Sequence, residues 1–161
     1  MKKIFLLFAL LFMISSCSTV KVHYDKNTDF SVYRTFAYAA RKGDIKGLNQ
    51  DESRLLLRAV DKHVRQWPLQ PDRSRPDLLV RVLADFHKRV DVYRGYGPGP
   101  RKEISKEGWV EVRMTDAKTS RVVWTGRFYL NYKGRRDMMR QLERRLRKMF
   151  ARKPVSNSGH E

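Results

Sequence analysis

The chain has 161 residues, of which 41% are hydrophobic and 32% charged, which is enough apolar material for one domain with a packed core and excludes a disordered polyelectrolyte. Its 35 Lys and Arg against 17 Asp and Glu give a formal charge of +18, so its surface attracts anions: nucleic acid, lipid headgroups or anionic polysaccharide. A single cysteine excludes any intramolecular disulfide.

At the start, Lys2 and Lys3 precede an apolar run from Ile4 to Ile14, followed by Ser15, Ser16 and Cys17. As a helix that run spans roughly 17 Å against about 30 Å of bilayer hydrocarbon, too short for a permanent transmembrane segment. The lysine start and small-residue exit have the layout of a secretory signal. Ile14-Ser15-Ser16-Cys17 resembles the bacterial lipobox. The resemblance implies cleavage before Cys17, a thioether-linked diacylglycerol on its sulfur and N-acylation. Ser18, standing where an aspartate would argue for inner-membrane retention, favours the outer membrane. Without Lys2 and Lys3 there remain 33 Lys and Arg against 17 Asp and Glu, a formal +16, and outside the cytoplasm nucleic acid is not the expected partner.

From Ser18 to Tyr24 the residues alternate and read as an extended segment, and Asp25–Asp29 is a polar turn. Tyr33–Ala39, rich in aromatic and β-branched residues, reads as a strand, and Arg41–Gln50 as a loop. Asn49 and Asp51 are both plausible caps for a helix running to about Gln66, with Leu56, Val60, Val64 and Trp67 on one stripe and Leu57 and Ala59 alongside. Pro68–Pro76 is a turn-rich connector.

The clearest strand follows: Leu78, Val80, Val82, Ala84 and Phe86 share a face, and Val90 and Val92 keep the parity. Tyr93–Lys102, with three glycines and two prolines, is expected to be a loop. Trp109–Asp116 and Val122–Tyr132 alternate around a short polar link and predict an antiparallel hairpin. Arg135–Phe150 is a second amphipathic helix on a Met138, Leu142, Leu146, Met149 and Phe150 stripe.

This order predicts an α+β fold, a four-stranded, mainly antiparallel sheet with two helices packed on one face. The expected division is a lipoprotein signal peptide over 1–16, a lipidated cysteine and short tether over 17–19, one α+β domain over 20–150 and a disordered tail over 151–161.

Five stretches in order carry a wider resemblance: Val22–Asp25, Asp29–Ala37, Pro76–Val80, Val112–Asp116 and Val122–Gly126. Together, behind the lipobox, they resemble an uncharacterised bacterial lipoprotein family, domain of unknown function 4136 (DUF4136), over roughly residues 20 to 150. The resemblance implies an envelope lipoprotein with a sheet and two helices. It implies no activity and no catalytic residue. The arginine-rich last helix departs from the family pattern.

No catalytic constellation is legible. His23, His63, His87 and His160 lack metal-ligand spacing and read as surface or strand histidines, so no metal and no cofactor is expected. Lipidation would remove the Cys17 thiol from nucleophilic chemistry, and no nucleophile elbow or phosphate loop is present.

Two features remain. Residues 133–153 carry a net +8, and Arg136, Arg140, Arg144 and Arg147 cluster opposite the Leu142/Leu146 stripe, a candidate anion-binding face. Tyr93, Arg94, Tyr96 and Arg101 form a candidate interaction loop, tyrosine offering flat contact area with a polar tip.

The expected function is that of a non-enzymatic interaction or scaffold module at the outer membrane, facing the periplasm and held through a lipid on Cys17. Anionic lipid, cell-wall glycan or an envelope protein is its partner. The alternative is an envelope enzyme acting on a cell-wall or lipid polymer, whose residues would have to include Asp85 or His87.

Overall fold

The computed structural model describes residues 20–94, 99, 101–152 and 154. The signal segment, Cys17 and its tether, Tyr96, His160 and most of the expected tail lie outside the described residues. The elements in order are β1 (Val20–Tyr24), a 3-10 turn (Phe30–Val32), β2 (Thr35–Tyr38), β3 (Ile45–Lys46), α1 (Gln50–Val64), β4 (Gln70–Pro71), β5 (Leu78–Tyr93), β6 (Arg101–Asp116), β7 (Val122–Tyr132) and α2 (Arg135–Phe150).

The α+β class holds, but the sheet is mixed and seven-stranded rather than four-stranded and mainly antiparallel, with path β1-β7-β6-β5-β2-β4 and β3 also on β5. The β5, β6, β7 and β1 pairings are antiparallel, whereas β2 and β3 run parallel to β5 and β4 runs parallel to β2. The parallel pairing follows from the connection. After β2 the chain crosses over through α1 before re-entering as β5, and a crossover of that length returns the strand in the same direction. The two-residue strands β3 and β4 are too short to leave a period-two pattern in the sequence.

Strand parity places the core. Leu78, Val80, Val82, Ala84 and Phe86 of β5 are buried, and so are Val110, Val112 and Met114 of β6. On β7 the buried set is Trp124, Gly126, Phe128, Leu130 and Tyr132, together with Val123. Val122, which strict alternation from Trp124 would place on the same face, is exposed instead. The cause is a register shift: Met114 pairs with Trp124 but Thr115 with Val122, so Val123 is the extra residue of a bulge and the parity slips there.

Both helices cover this inner face. Asn49 caps α1, its side chain accepting from the Glu52 amide 2.8 Å away while Glu52 accepts from the Asn49 amide at 2.9 Å. Asp51 is instead a first-turn acid at the positive end of the helix dipole. α1 buries Leu56, Ala59, Val60, His63 and Val64, and α2 buries the full Met138, Leu142, Leu146, Met149 and Phe150 stripe. Leu57, expected beside the α1 stripe, faces out. Where the two helices end, Trp67, Trp124 and Phe150 meet in an aromatic cluster with centroids 5.4 to 5.9 Å apart.

The segment expected as a loop over Tyr93–Lys102 is shorter than predicted. β5 runs to Tyr93 and β6 begins at Arg101, so these two residues face each other across the hairpin. The high local content of Gly and Pro obscured how far the strands continue on either side.

Candidate functional site

The candidate arginine face lies on α2. Arg136, Arg140, Arg144 and Arg147 are all exposed, on the side away from the buried Leu142/Leu146 stripe. Arg140, Arg144 and Arg147 line one shallow depression together with Asp137, Gln141 and Glu143. Two carboxylates temper the positive charge: Asp137 accepts from Arg140 at 2.7 Å, and Glu143 is turned toward α1. Burial raises the Asp137 carboxyl, but the Lys133 amide, Arg140 and Gln141 outweigh it and hold its pKa below the ordinary value. Arg145, half-buried on the same helix, is lowered by burial and by its neighbour Arg144. The face is therefore a row of exposed arginines, a side chain whose planar fork has the geometry to pair bidentately with phosphate or carboxylate.

The second candidate set is split. Tyr93 and Arg101 sit opposite each other at the outer end of the β5–β6 hairpin and are exposed, Arg94 follows directly, and Tyr96 lies outside the described residues.

Asp85 and His87, the residues an envelope enzyme would have to draw on, share one face of β5. Asp85 and His87 are exposed, and the His87 Nε2 lies 3.0 Å from Glu107 Oε1, whose companion oxygen accepts from Arg89 and Asn131. Among the described residues no group of three His, Cys, Asp or Glu could hold a metal ion. For His63 the sequence predicts a surface or strand position. It is instead buried in the seam between α1 and α2, its ring stacked 5.8 Å from Phe150. A histidine between apolar helical positions gives no sign in the sequence of which side it will face.

One cavity escaped the sequence. Because β2 pairs with β5 at Leu78–Val80 and β3 pairs with it at Ala84–Asp85, the chain between them bows away from the sheet. The gap leaves a cavity of about 510 Å³ floored by Val80 and Val82 and walled by Tyr38, Ile45 and Leu57, with Arg41 and Arg58 at its rim. Asp44, also on its wall, is bound to Arg81, and Asp61 receives Tyr38 and Arg65, so both acids are engaged within the protein.

Among the described residues no helix covers the outer face of the sheet, where charged side chains lie beside Leu79, Leu83 and Trp109. Arg127 lies over the Trp109 ring with its guanidinium carbon 4.5 Å from the centroid, and Arg113 pairs with Glu111 at 2.6 Å. Among the described residues no helix is long and apolar enough to cross a membrane.

The family model for domain of unknown function DUF4136 matches residues 20–155. Among solved structures, a PDZ domain protein from Parabacteroides distasonis ATCC 8503 superposes with a TM-score of 0.59 at 15% identity, over 89% of this chain and 37% of that one. That likeness is one of fold, and the chain spans little more than a third of the longer protein. PelC from Paraburkholderia phytofirmans, described as a dodecamer, aligns with a TM-score of 0.49 at 9% identity, over 87% of this chain and 99% of that one. A minor lipoprotein from Acinetobacter baumannii aligns with a TM-score of 0.40 at 12% identity, over 74% of this chain and 94% of that one. None of the curated proteins matches the chain.

Proposed function

The chain belongs to the DUF4136 family, and from that premise we propose that it is a cell-envelope lipoprotein anchored through Cys17, a non-enzymatic interaction module whose α2 arginine face contacts anionic lipid or glycan. The observation that carries the anchor is sequential: a lysine-led apolar run ends on Ile14-Ser15-Ser16-Cys17, three residues ahead of the first strand at Val20. One acyl chain binds a bilayer marginally, at about 0.8 kcal/mol per buried methylene, while two or three hold a domain stably. Ser18 favours the outer membrane, with the domain facing the periplasm.

The reading of a binding module rests on the exposed row Arg136, Arg140, Arg144 and Arg147 on a helix whose opposite side is fully committed to the core.

Two measurements test it. Mass spectrometry of the N-terminal peptide should find Cys17 diacylglycerol-modified, and fractionation should place the protein in the outer membrane; an unmodified Cys17 or a cytosolic protein overturns the anchor. Changing the four arginines together (Arg136→Gln, Arg140→Gln, Arg144→Gln, Arg147→Gln) should weaken co-sedimentation with anionic liposomes or peptidoglycan and flatten its salt dependence. If affinity for both is unchanged, the arginine row is a solvated surface only.

A further inference from the structure

The longest hairpin of the fold outruns its support. β7 pairs with β6 only as far as Tyr132 against Lys106, and β3 reaches β5 only at Ala84 and Asp85. Beyond those points, among the described residues, 89–93 and 101–105 pair with each other alone, a two-stranded arm that outruns the sheet.

The arm keeps the strand alternation of the core after the core has ended. Val90 faces Ile104 in register, and Val92 follows on the same side. With no helix over them they are 49%, 55% and 57% exposed, and Tyr93 is 54% exposed. Val90, Val92 and Ile104 together on one face of a narrow arm are an unpartnered surface, unlike scattered exposed hydrophobics, and Tyr93 stands at the tip on the opposite face of β5. Basic residues frame them. Of the acids on the arm and at its base, Asp91 is taken by Arg89, Glu107 by His87 and Arg89, and Glu103 by Lys133 at the foot of α2. Among the described residues no carboxylate pairs with Lys88, Arg94, Arg101 or Lys102.

The route of the chain bears on what covers this arm. β1 is antiparallel to β7 with Val20 against Phe128, so the N-terminal end of β1 points toward the same end of the sheet as the arm. From Val20 back to Cys17 is three residues, a reach of about 10 Å when extended. The arm tip at Arg101 is nine strand positions above Val110, which is level with Val20, or about 30 Å. A lipid on Cys17 thus holds the bilayer within the arm's reach, on the side where the arm projects. Apolar side chains edged by unpaired lysine and arginine match the boundary between acyl chains and anionic headgroups.

We propose that the β5–β6 arm is a second, non-covalent membrane contact, in which the Val90, Val92 and Ile104 face enters the headgroup layer of an anionic bilayer, with Tyr93 at the tip, while Lys88, Arg94, Arg101 and Lys102 meet its phosphates. The proposal rests on the anchored reading of Cys17. It fixes the domain's orientation: with the arm against the lipid, the β6–β7 turn at the far end of the sheet points into the periplasm.

The test uses the full-length lipidated protein, in which Cys17 is blocked and a single introduced thiol takes a fluorophore. Val92→Cys samples the arm, and Lys118→Cys samples the exposed turn at the opposite end. In vesicles of phosphatidylethanolamine and phosphatidylglycerol carrying nitroxide-labelled lipid, the Val92→Cys label should shift its emission to the blue and be quenched several-fold more than the Lys118→Cys label. Adding Lys88→Gln, Arg94→Gln, Arg101→Gln and Lys102→Gln should reduce that quenching. Equal quenching at both sites, with the protein still vesicle-bound, overturns the arm contact and leaves the lipid anchor standing. A Val92→Cys label shielded from water but not quenched by the nitroxide lipid, with cross-linking between copies, overturns it in favour of self-association. A protein that never acquires the Cys17 lipid and stays soluble removes the anchored reading itself, and the arm contact with it.

Discussion

The His63 Nε2 lies 3.2 Å from a Glu143 carboxylate oxygen across the seam between α1 and α2, with the imidazole buried and stacked on Phe150. Lys62 reaches the other oxygen of the same carboxylate at 3.1 Å. Burial raises the Glu143 carboxyl, but its hydrogen bonds with Lys62 and His63 outweigh that effect and its pKa sits below the ordinary value. One acid from α2 thus clasps two consecutive residues of α1 and fixes how the helices lie on each other.

Removing either partner should therefore loosen the seam unequally. His63→Ala opens a void against Phe150 and should cost about 2 kcal/mol in urea unfolding. Glu143→Ala removes a part-exposed carboxylate and should cost about 1 kcal/mol. The double variant should cost less than the sum, because both changes delete the same contact. Strict additivity would show that the two side chains do not interact.

Acid stability should depend on Asp44. Its hydrogen bond from Arg81, aided by the Arg41 amide against a smaller cost of burial, holds the carboxyl at about 2 instead of its ordinary 3.8. A folded-state pKa below the unfolded one means stability that is present above pH 3.8 and lost as the pH falls toward about 2. Asp44→Asn should flatten the pH dependence of thermal unfolding in that window while leaving the slope at neutral pH unchanged. An unaltered acid limb would exclude the pair as its source.

Two glycines with positive φ should respond differently to alanine. Gly43, at φ +88, has open space where a Cβ would stand, so Gly43→Ala should cost about 1 kcal/mol from backbone strain alone. Gly47, at φ +74, would place its Cβ into the Phe86 carbonyl, and backbone cannot step aside as a flexible side chain can. Gly47→Ala should cost at least about 2 kcal/mol by denaturant titration or prevent folding. Equal costs at the two sites would contradict the close approach of this loop to β5.

Phe150 ends α2 against Trp124, Trp67 and His63. Phe150→Ala should cost about 3 to 5 kcal/mol and change the tryptophan emission, since two of the three indoles pack on that ring. A variant of wild-type stability would place the helix end off the sheet.

Local period was enough for some of this architecture. The 3.6-residue stripe of Met138, Leu142, Leu146, Met149 and Phe150 and the alternation from Leu78 to Phe86 each state which side is apolar, and in both the apolar side is buried. The α2 arginines were legible for the same reason, as the complement of a buried stripe. Period says nothing about neighbours. That β1 pairs with β7, that β2 returns parallel beside β5, and that His63 faces Glu143 are matters between residues dozens of positions apart. Nor does alternation tell whether an apolar face has anything above it: Val80 and Val90 share one parity on one strand, yet the first lies under the helices and the second beyond their reach. The sequence by itself determined the faces of the elements and carries the apolar run that ends on Ile14-Ser15-Ser16-Cys17. Only the tertiary structure decided which faces are covered, because coverage depends on where distant elements end, and it is there that β5 and β6 outrun the sheet.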